Sequence, residues 1–499
     1  MNFRSLFALS VALAGTFMLP STAAAQEAPA TEQANVELLP AKTVIEDLDA
    51  LYEAMQAASV DLYAYRSKED FDAYYAGLRS NVTGPMTRLE AALLYQRFMA
   101  FARIGHIRSY AWLNEVFAEF GNGAKFAPIF IRVEPDGRVF LTDHANSDAS
   151  APAGAQLIAV NGRPIARVLS EVRDLVSAER EYMANTVLED FFPALFWARK
   201  PDLDAINVTV LVNEKRVEVS VPLVTFGEFQ SMGSEAPVPS PKTDFNTREY
   251  RLIDESIAYL RPGPFSALEG EEPVGGRNEA AMVRFIDASF EEMIEAGVSD
   301  LIIDLRNNSG GDNSFSDPMI AWFADKPFQF SSSFTLKASA PVKALYDKVA
   351  GEDAEVGPVL ARLASAERAQ TNGAIYDFPF GEVQPRDGRR FDGRVWVLVN
   401  RKSYSNATSV AAIIKDYGFG TIMGEETADV PTSFASIFPY TLPKTGMNVD
   451  FAKSYFIRPN GDETVRGVLP DVALPRQEIG SSEDTMLNAA LEAIKASGK

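Results

Sequence analysis

Apolar residues near the start of the chain recur three and four positions apart, which is the spacing of one face of an α-helix. They are Val44, Leu48, Leu51 and Met55, and then Leu89, Leu93, Leu94, Phe98 and Phe101. The pattern predicts a helical N-terminal domain over residues 43–120.

The pattern then changes to short runs of β-type residues that are separated by turn residues. The runs are FAPIFIRV, RVFLTD, AQLIAVNG and INVTVLV, with the helical stretch SEVRDLVSAEREYMANTVLEDFFPALFWA inserted between the last two. Such runs predict strands. We therefore expect a β-rich domain over residues 121–224 that carries a helical insertion at 166–205. Residues 225–248 are rich in Pro, Ser and Gly, which predicts a linker.

Beyond residue 249, apolar strand-like runs alternate with amphipathic helices. The segments IAYLRPG, LIIDLR and VWVLVN favour strands, while residues 279–296 and a segment starting near Ser405 favour helices. Alternation of this kind is typical of an α/β core with a largely parallel sheet.

The N-terminus predicts a signal peptide over residues 1–25 and a linker over residues 26–42. A basic Arg4 precedes an apolar run from Leu6 to Leu19, and small residues end at Ala25, the expected cleavage point. The run is too short to span a bilayer. We expect a periplasmic or secreted protein whose mature chain has no integral membrane segment.

Composition excludes several kinds of chemistry. The chain has no cysteine, so disulfides, thiolate catalysis and sulfur-ligated metals are ruled out. Its net charge of -21 argues against nucleic acid as a partner, because binding to phosphates requires basic surface. No metal or cofactor is called for, since HExxH is missing and two isolated histidines make a poor zinc site.

Two strand ends carry candidate chemistry. After LIIDLR, the turn NNSGGDN contains Gly310 and Gly311, whose unpaired N–H groups would suit an anion or an oxyanion. After VWVLVN, Ser405 lies at a strand-to-helix turn, where its hydroxyl could project from the sheet edge as a nucleophile. A structural turn and a helix cap remain the alternatives for these two motifs.

Four segments, taken in order, extend this interpretation. LIIDLRNNSGG, VWVLVNRKSYSNATSVAAIIKDYG, GTIMGEET and RPNGDETVRGVLPDVAL together resemble the core of the tail-specific, or C-terminal-processing, serine peptidase family and its tricorn-like branch. The match covers about residues 250–475. Upstream, APAGAQLIAVNGRPI resembles a PDZ-like domain. The resemblance implies a ClpP/crotonase-like αβ-spiral peptidase core over 249–499, preceded by the helical domain and a PDZ-like domain.

The resemblance also implies a nucleophile and an oxyanion hole. The family's nucleophile corresponds to Ser405, and backbone N–H groups of Gly310 or Gly311 and of Asn406 would hold the oxyanion. One branch of the family uses a lysine base, but Val430 occupies that position here. Lys402 and Lys415 are near in sequence, although Lys415 lies about three helical turns beyond Ser405 and should point elsewhere.

The tricorn-like branch uses a histidine from an N-terminal segment and a downstream glutamate. The chain has two histidines, and His106 in FARIGHIRSYAW resembles the family's Gly-His segment, whereas His144 lies in a polar loop. A histidine is a competent general base near neutral pH. Glu463 is the expected third catalytic residue, with Asp462 as its neighbouring alternative.

The sequence thus predicts an exported serine-type endopeptidase or carboxyl-terminal-processing peptidase that acts on polypeptide substrates. Asn406, Thr408 and the missing lysine depart from the family's pattern and leave two alternatives open. One is a catalytically silent carrier of an apolar ligand on the same fold, and the other is a PDZ-like scaffold that captures peptide C-termini. The insertion at 166–205 would restrict entry to the site or pack a homo-oligomer.

Overall fold

The computed structural model describes residues 38–142, 151–199, 205–235, 243–272, 277–350 and 357–498. The predicted signal peptide, residues 26–37 of the predicted linker, and His144 lie outside the described residues. Among the described residues, no helix combines the length and apolar composition that a bilayer span needs.

The N-terminal part is helical, as the apolar spacing predicts. Its elements are β1 Leu38–Leu39, α1 Ala41–Ala58, α2 Lys68–Asn81, β2 Met86–Thr87, α3 Arg88–Ala100 and α4 Ala111–Gly121. Helix α3 begins with a capping box, in which Thr87 and Glu90 exchange hydrogen bonds between side chain and backbone. Phe71 and Phe98 are fully buried and pack edge to face. His106 follows α3 in the loop that leads to α4.

The next part is a β-sheet with helices inserted into it. Its elements are β3 Ile131–Val133, β4 Val139–Leu141, β5 Gln156–Val160, β6 Arg163–Pro164, α5 Ile165–Val172, α6 Glu181–Ala198, β7 Ala205–Val212, β8 Lys215–Pro222 and α7 Phe226–Glu235. The strand order is β3-β4-β5-β7-β8, and β6 pairs with β5. The predicted helical insertion is present as α5 and α6.

Helix α7 corrects one expectation. It occupies residues 226–235 of the segment 225–248 that the sequence predicts as a linker. Phe229 packs against Phe126 and Phe130 with ring centroids 5.6 Å apart in each pair. The Pro and Ser content of the segment hid this apolar anchor, which stabilises the helix through tertiary packing.

The C-terminal part contains a six-stranded sheet of order β18-β15-β14-β11-β10-β9. Its elements are β9 Glu249–Leu252, β10 Ile257–Arg261, α8 Ala280–Ala296, β11 Asp300–Asp304, α9 Asn313–Ala321, β12 Ser333–Lys337, α10 Ala340–Val349, α11 Pro358–Ala369, β13 Ile375–Asp377, β14 Arg394–Val399, α12 Asn406–Tyr417, β15 Thr421–Gly424, β16 Ser433–Thr441, β17 Asn448–Ile457, β18 Val472–Ala473 and α13 Thr485–Ser497. Strands β10, β11, β14, β15 and β18 are parallel, and β9 is antiparallel. Helices α8, α9 and α12 contribute to the apolar cluster on one face, and α13 contributes to the cluster on the other.

A second sheet was not predicted and brings the site together. It is antiparallel, with strand order β13-β12-β17-β16. Arg108 forms an antiparallel bridge with Asp450 in β17, with backbone N–O distances of 3.1 and 2.8 Å. This bridge fixes the segment that contains His106 to a strand of the C-terminal part.

Candidate active site

Ser405 lies between the end of β14 and the start of α12. Its backbone has φ 53° and ψ -125°, so a non-glycine residue is held in a sparsely populated conformation. The preceding turn is fixed by Ser403, whose Oγ donates to the carbonyl of Leu305 at 2.7 Å. A strained turn from strand to helix is the geometry that exposes a nucleophilic serine at a sheet edge.

The glycine turn after β11 packs directly against the Ser405 turn. Asn307 and Asn400 exchange hydrogen bonds of 3.0 and 2.9 Å, and the N–H of Tyr404 donates to the carbonyl of Asn308 at 2.9 Å. The carboxyl ends of neighbouring parallel strands meet at one edge of a sheet. The two motifs found in the sequence therefore form one site.

His106 reaches Ser405 from the N-terminal part of the chain. The Nε2 atom lies 3.3 Å from the Oγ of Ser405. The imidazole is buried, with 3% of its residue surface exposed. The ring of Tyr404 stacks on one face of the imidazole. The structure thus joins the predicted base and the predicted nucleophile, 299 residues apart in the sequence.

The surroundings of His106 keep the imidazole neutral. Burial, and then the charge of Arg108, lower the pKa of His106 to about 3. Nδ1 is buried and makes no hydrogen bond of ordinary geometry, although the backbone carbonyl of Phe434 is near enough to raise the pKa of the ring. A neutral imidazole with its Nε2 facing a hydroxyl can accept that hydroxyl's proton.

Arg108 and Tyr404 form a polar shell around the imidazole that the sequence did not reveal. The guanidinium Nη1 of Arg108 donates to the phenol oxygen of Tyr404 at 3.1 Å. The phenol in turn donates to the carbonyl of Gly105 at 3.3 Å. These contacts connect the segment of the base to the residue beside the nucleophile. Arg108 lies in the motif GHIRSY and Tyr404 in RKSYSN. Their contact depends on packing between distant segments, which local patterns do not predict.

Two buried acidic side chains, which the sequence analysis did not single out, complete the site. The N–H of Ser405 donates to Oδ2 of Asp429 at 2.5 Å, and the N–H of Gly105 donates to Oε1 of Glu179 at 2.8 Å. Both side chains are buried. Asp429 immediately precedes Val430, the position that carries lysine in the other branch, so an acid next to that position was the available signal.

The predicted oxyanion donors differ in their roles. The N–H of Gly310 donates to Oδ1 of Asn308 at 2.8 Å, so in this structure it does not face a substrate oxygen, contrary to the prediction. Gly310 instead permits close packing, because a Cβ there would lie 2.6 Å from the backbone nitrogen of Asn406 and 2.7 Å from the Cβ of Ser405. The N–H of Gly310 is occupied because the side chain of Asn308, two residues earlier in the same turn, folds back onto it.

Asn406 and Gly311 are the other two predicted oxyanion donors, through their backbone N–H groups. Asn406 is the first residue of α12, where a helix N–H has no partner within the helix. Its side chain donates to Oγ of Ser316 at 2.9 Å. Gly311 bridges Phe265 through hydrogen bonds of the residues on either side of it, Gly310 and Asp312.

Glu463 is not brought to His106. It lies exposed in the loop after β17, where one carboxylate oxygen accepts a hydrogen bond from the phenol of Tyr455 at 3.2 Å. Asp462, the alternative, is also exposed, and its backbone carbonyl accepts from Oγ1 of Thr432 at 2.6 Å. Within the part of the chain that the structure describes, no carboxylate is hydrogen-bonded to Nδ1 of His106.

The two lysines near Ser405 in sequence form ion pairs, and Thr408 forms a hydrogen bond, with other parts of the chain. Lys402 pairs with Asp190 at 2.5 Å, and Lys415 pairs with Asp471. Thr408 is fully buried, and its hydroxyl donates to the carbonyl of Ser403 at 3.0 Å, which stabilises the first turn of α12. None of these three side chains contacts Ser405 or His106 among the described hydrogen bonds and ion pairs.

A serine held in a strained turn at the edge of a parallel sheet, against a neutral histidine, belongs to the hydrolase class of α/β folds. Comparison with known families agrees. Residues 257–474 match the model of peptidase family S41. The predicted family and the α/β peptidase fold are thereby confirmed.

Solved structures show the same fold over almost the whole chain. Mature CPAF is 15% identical, with a TM-score of 0.62, over 91% of this chain and 96% of that one. CPAF complexed with lactacystin is also 15% identical, with a TM-score of 0.60, over 92% and 97% of the two chains. A weaker likeness, with a TM-score of 0.41 and 16% identity over 89% and 97%, is to the photosystem II D1 C-terminal processing protease. No curated protein matches the chain in sequence.

Proposed function

We propose that the chain is an exported serine-type peptidase in which Ser405 is the nucleophile and His106 the general base. The observation that carries this proposal is the 3.3 Å contact between Nε2 of His106 and Oγ of Ser405. Ser405 lies within residues 257–474, which match peptidase family S41. The low pKa of His106, which burial causes first, supports it because the imidazole is in its basic form at neutral pH.

The proposed reaction begins when Ser405 attacks the carbonyl carbon of a peptide bond and His106 takes the hydroxyl proton. The carbonyl oxygen becomes an oxyanion, and the N–H of Asn406, at the positive end of α12, is placed to hold it. His106 then gives its proton to the leaving amine, and water hydrolyses the acyl-enzyme by the same two proton transfers.

The third catalytic group is part of the proposal. The imidazolium that forms in a buried site needs a nearby negative charge. Glu463 stays the predicted provider, although it would have to leave Tyr455 or act through a bridging water. Glu463→Gln decides this point. A loss as large as that of His106→Ala would assign it to the triad, and activity near the wild-type level would remove it.

Export is proposed from the signal peptide alone. Residues 1–25 carry the pattern, and we infer a periplasmic or secreted mature chain that begins at Gln26. Mass spectrometry of the N-terminus of protein recovered from an osmotic-shock fraction tests this inference. A full-length N-terminus in the cytosolic fraction would contradict it.

The experiment that tests the activity uses a serine-directed fluorophosphonate and unfolded casein as probes. We expect the wild-type chain to be labelled and to cleave casein. Ser405→Ala and His106→Ala should each reduce both rates by at least about 10³-fold, because nucleophile and base act as a unit. Ser80→Ala, an exposed serine in α2, is the control and should behave as wild type.

The opposite outcome is equally informative. A folded wild-type chain that is neither labelled nor active would support the alternative of a ligand-binding protein on the same fold. Labelling that persists in Ser405→Ala would place the nucleophile elsewhere.

A further inference from the structure

Asp429 holds the nucleophile by its backbone. It is 1% exposed, and its Oδ2 accepts the N–H of Ser405 at 2.5 Å. Ser405 has φ 53°, a conformation that a non-glycine residue rarely adopts, while its carbonyl accepts the helical N–H of Ser409 at 3.1 Å. A short hydrogen bond to a carboxylate is among the strongest that a backbone N–H can make. It offsets the cost of the strained conformation.

The loop that carries Asp429 is itself rigidly held. Oγ1 of Thr427 donates to the carbonyl of Asp429 at 2.9 Å and accepts the N–H of Val468 at 2.9 Å. Gly467 lies so close to Thr427 that a Cβ there would overlap its carbonyl. Because the loop is fixed to the segment before β18, the carboxyl group of Asp429 is also fixed. Its hydrogen bond can therefore hold the backbone of Ser405 in place.

Glu179 repeats the arrangement on the side of the base. It is 6% exposed and precedes α6, and its Oε1 accepts the N–H of Gly105, the residue next to His106, at 2.8 Å. Each carboxylate has a second oxygen, Oδ1 of Asp429 and Oε2 of Glu179, that is buried and has no hydrogen-bond partner among the described residues. Buried polar atoms without partners are costly and therefore suggest a functional constraint.

The charged groups around Asp429 come from several elements. Burial dominates and raises the pKa of Asp429 to about 6, whereas the backbone N–H groups of Ser405 and Val430, and then the charges of Arg108 and Arg180, lower it. Tyr404 and Glu179 also interact with Asp429. Burial, and then the charge of Asp429, raise the pKa of Glu179 to about 8. At neutral pH, Asp429 is therefore the charged member of the two and the stronger acceptor.

We propose that Asp429 is a positioning residue for the nucleophile, which keeps the Oγ of Ser405 within reach of His106 by accepting the Ser405 N–H. This inference rests on the proposed function for its kinetic consequence, while the hydrogen bond itself can be tested without any activity. Asp429 acts through the backbone of Ser405 and does not contact the substrate.

The kinetic test compares Asp429→Ala with Asp429→Asn. Alanine removes the acceptor, and we expect the fluorophosphonate labelling rate and kcat for casein to fall by about 10²-fold, with KM nearly unchanged. Asparagine keeps an oxygen that can accept the N–H and should restore most of the rate. Asp317→Asn is the control, a half-buried aspartate whose Oδ1 is likewise buried without a partner among the described residues and which makes no hydrogen bond to Ser405 there.

The second test uses the wild-type chain, so it does not depend on variants that fold. Selective ¹⁵N-serine labelling gives the amide proton resonance of Ser405, assigned by its loss in Ser405→Ala. A strong bond to a charged carboxylate moves this resonance downfield, and protonation of Asp429 near pH 6 should reverse part of the shift. The titration should be absent in Asp429→Asn.

The outcomes separate the two proposals. An inert wild type whose Ser405 amide titrates as described overturns the proposed function and supports the positioning contact. An active wild type overturns the inference if Asp429→Ala, folded by its thermal transition, is labelled at the wild-type rate. A Ser405 amide resonance at the same position in the wild type and in Asp429→Ala also overturns it.

Discussion

The imidazole of His106 stacks on the phenol ring of Tyr404, with ring centroids 5.1 Å apart and planes inclined by 27°. The residue before the proposed nucleophile thus also supports the ring of the proposed base. Aromatic rings stacked with an offset favour each other by about 0.5–1.5 kcal/mol beyond the area they bury.

Substitution of Tyr404 should separate stacking from hydrogen bonding. Tyr404→Phe keeps the ring and loses the hydroxyl that joins Arg108 to Gly105, so we expect kcat to fall by less than about tenfold. Tyr404→Ala removes the platform and should lower kcat by about 10²-fold, because the imidazole is no longer held against Oγ. Steady-state kinetics with a fluorogenic peptide or casein check this, and equal losses in both variants would contradict it.

Removal of the charge of Arg108 should shift the pH dependence of the reaction. After burial, this charge is the second cause of the low pKa of His106, so Arg108→Met should raise that pKa while it stays below 6.5. The enzyme needs a neutral imidazole, hence the acid limb of the kcat/KM profile should move to higher pH. Arg103→Met, at an exposed arginine of the same loop, should leave the profile in place.

Gly310→Ala should damage the site far more than a similar change elsewhere. Gly310 has φ 86°, and a Cβ would meet the carbonyl of Tyr404 and the nitrogen of Asn406 at 2.6 Å. Gly297 has φ 73°, but a Cβ there meets nothing within 4 Å. Both substitutions should cost about 1–2 kcal/mol from the backbone conformation. A loss of labelling rate of about 10²-fold is expected for Gly310→Ala alone.

The comparison of these two variants by thermal unfolding and by fluorophosphonate labelling makes the prediction testable. If Gly297→Ala loses as much activity as Gly310→Ala, general destabilisation explains the effect. If Gly310→Ala retains wild-type labelling, the two turns do not need their close packing.

Glu179 should make stability depend on pH. Burial first, and then Asp429, raise the pKa of Glu179 from 4.5 to about 8, so between these values the folded chain holds a proton that the unfolded chain has released. The free energy of unfolding should therefore fall as pH rises through this window, by at most about 1.4 kcal/mol per pH unit. Glu179→Gln, whose amide oxygen can still accept the N–H of Gly105, should flatten that decline.

Denaturant unfolding at pH 5 and pH 8 measures the effect. Glu181→Gln, at an exposed glutamate two positions along, is the control and should keep the slope of the wild type. A Glu179→Gln slope equal to that of the wild type would show that Glu179 does not hold its proton in the folded chain.

Local patterns predicted the elements that carry the nucleophile. The runs LIIDLR and VWVLVN correspond to β11 and β14, and the predicted helix over residues 279–296 corresponds to α8. These predictions succeed because a strand buried on both faces must be continuously apolar, and a helix on its face must be amphipathic. Resemblance then placed Ser405 at the turn that follows β14.

Contacts between distant segments were beyond these patterns. Asp429 and Glu179 have no local feature that separates a buried acid from a solvated one, and Arg108 resembles any exposed arginine in a loop. Arg108 is placed by its bridge to Asp450 in β17, whereas Asp429 and Glu179 are placed by hydrogen bonds to the Ser405 and Gly105 backbone, far away in sequence. The position of Glu463 in an exposed loop also depends on this packing.

The separation of 299 positions between His106 and Ser405 also sets the order in which these two residues are synthesised. During synthesis the base emerges long before the hydroxyl that it serves, and the bridge from Arg108 to Asp450 cannot form until a still later stretch has been made. A chain cut short by a premature stop before Asp450 therefore lacks the bridge that fixes the His106 segment to the C-terminal part. The topology therefore delays the contact between His106 and Ser405 until the polypeptide is complete and folded.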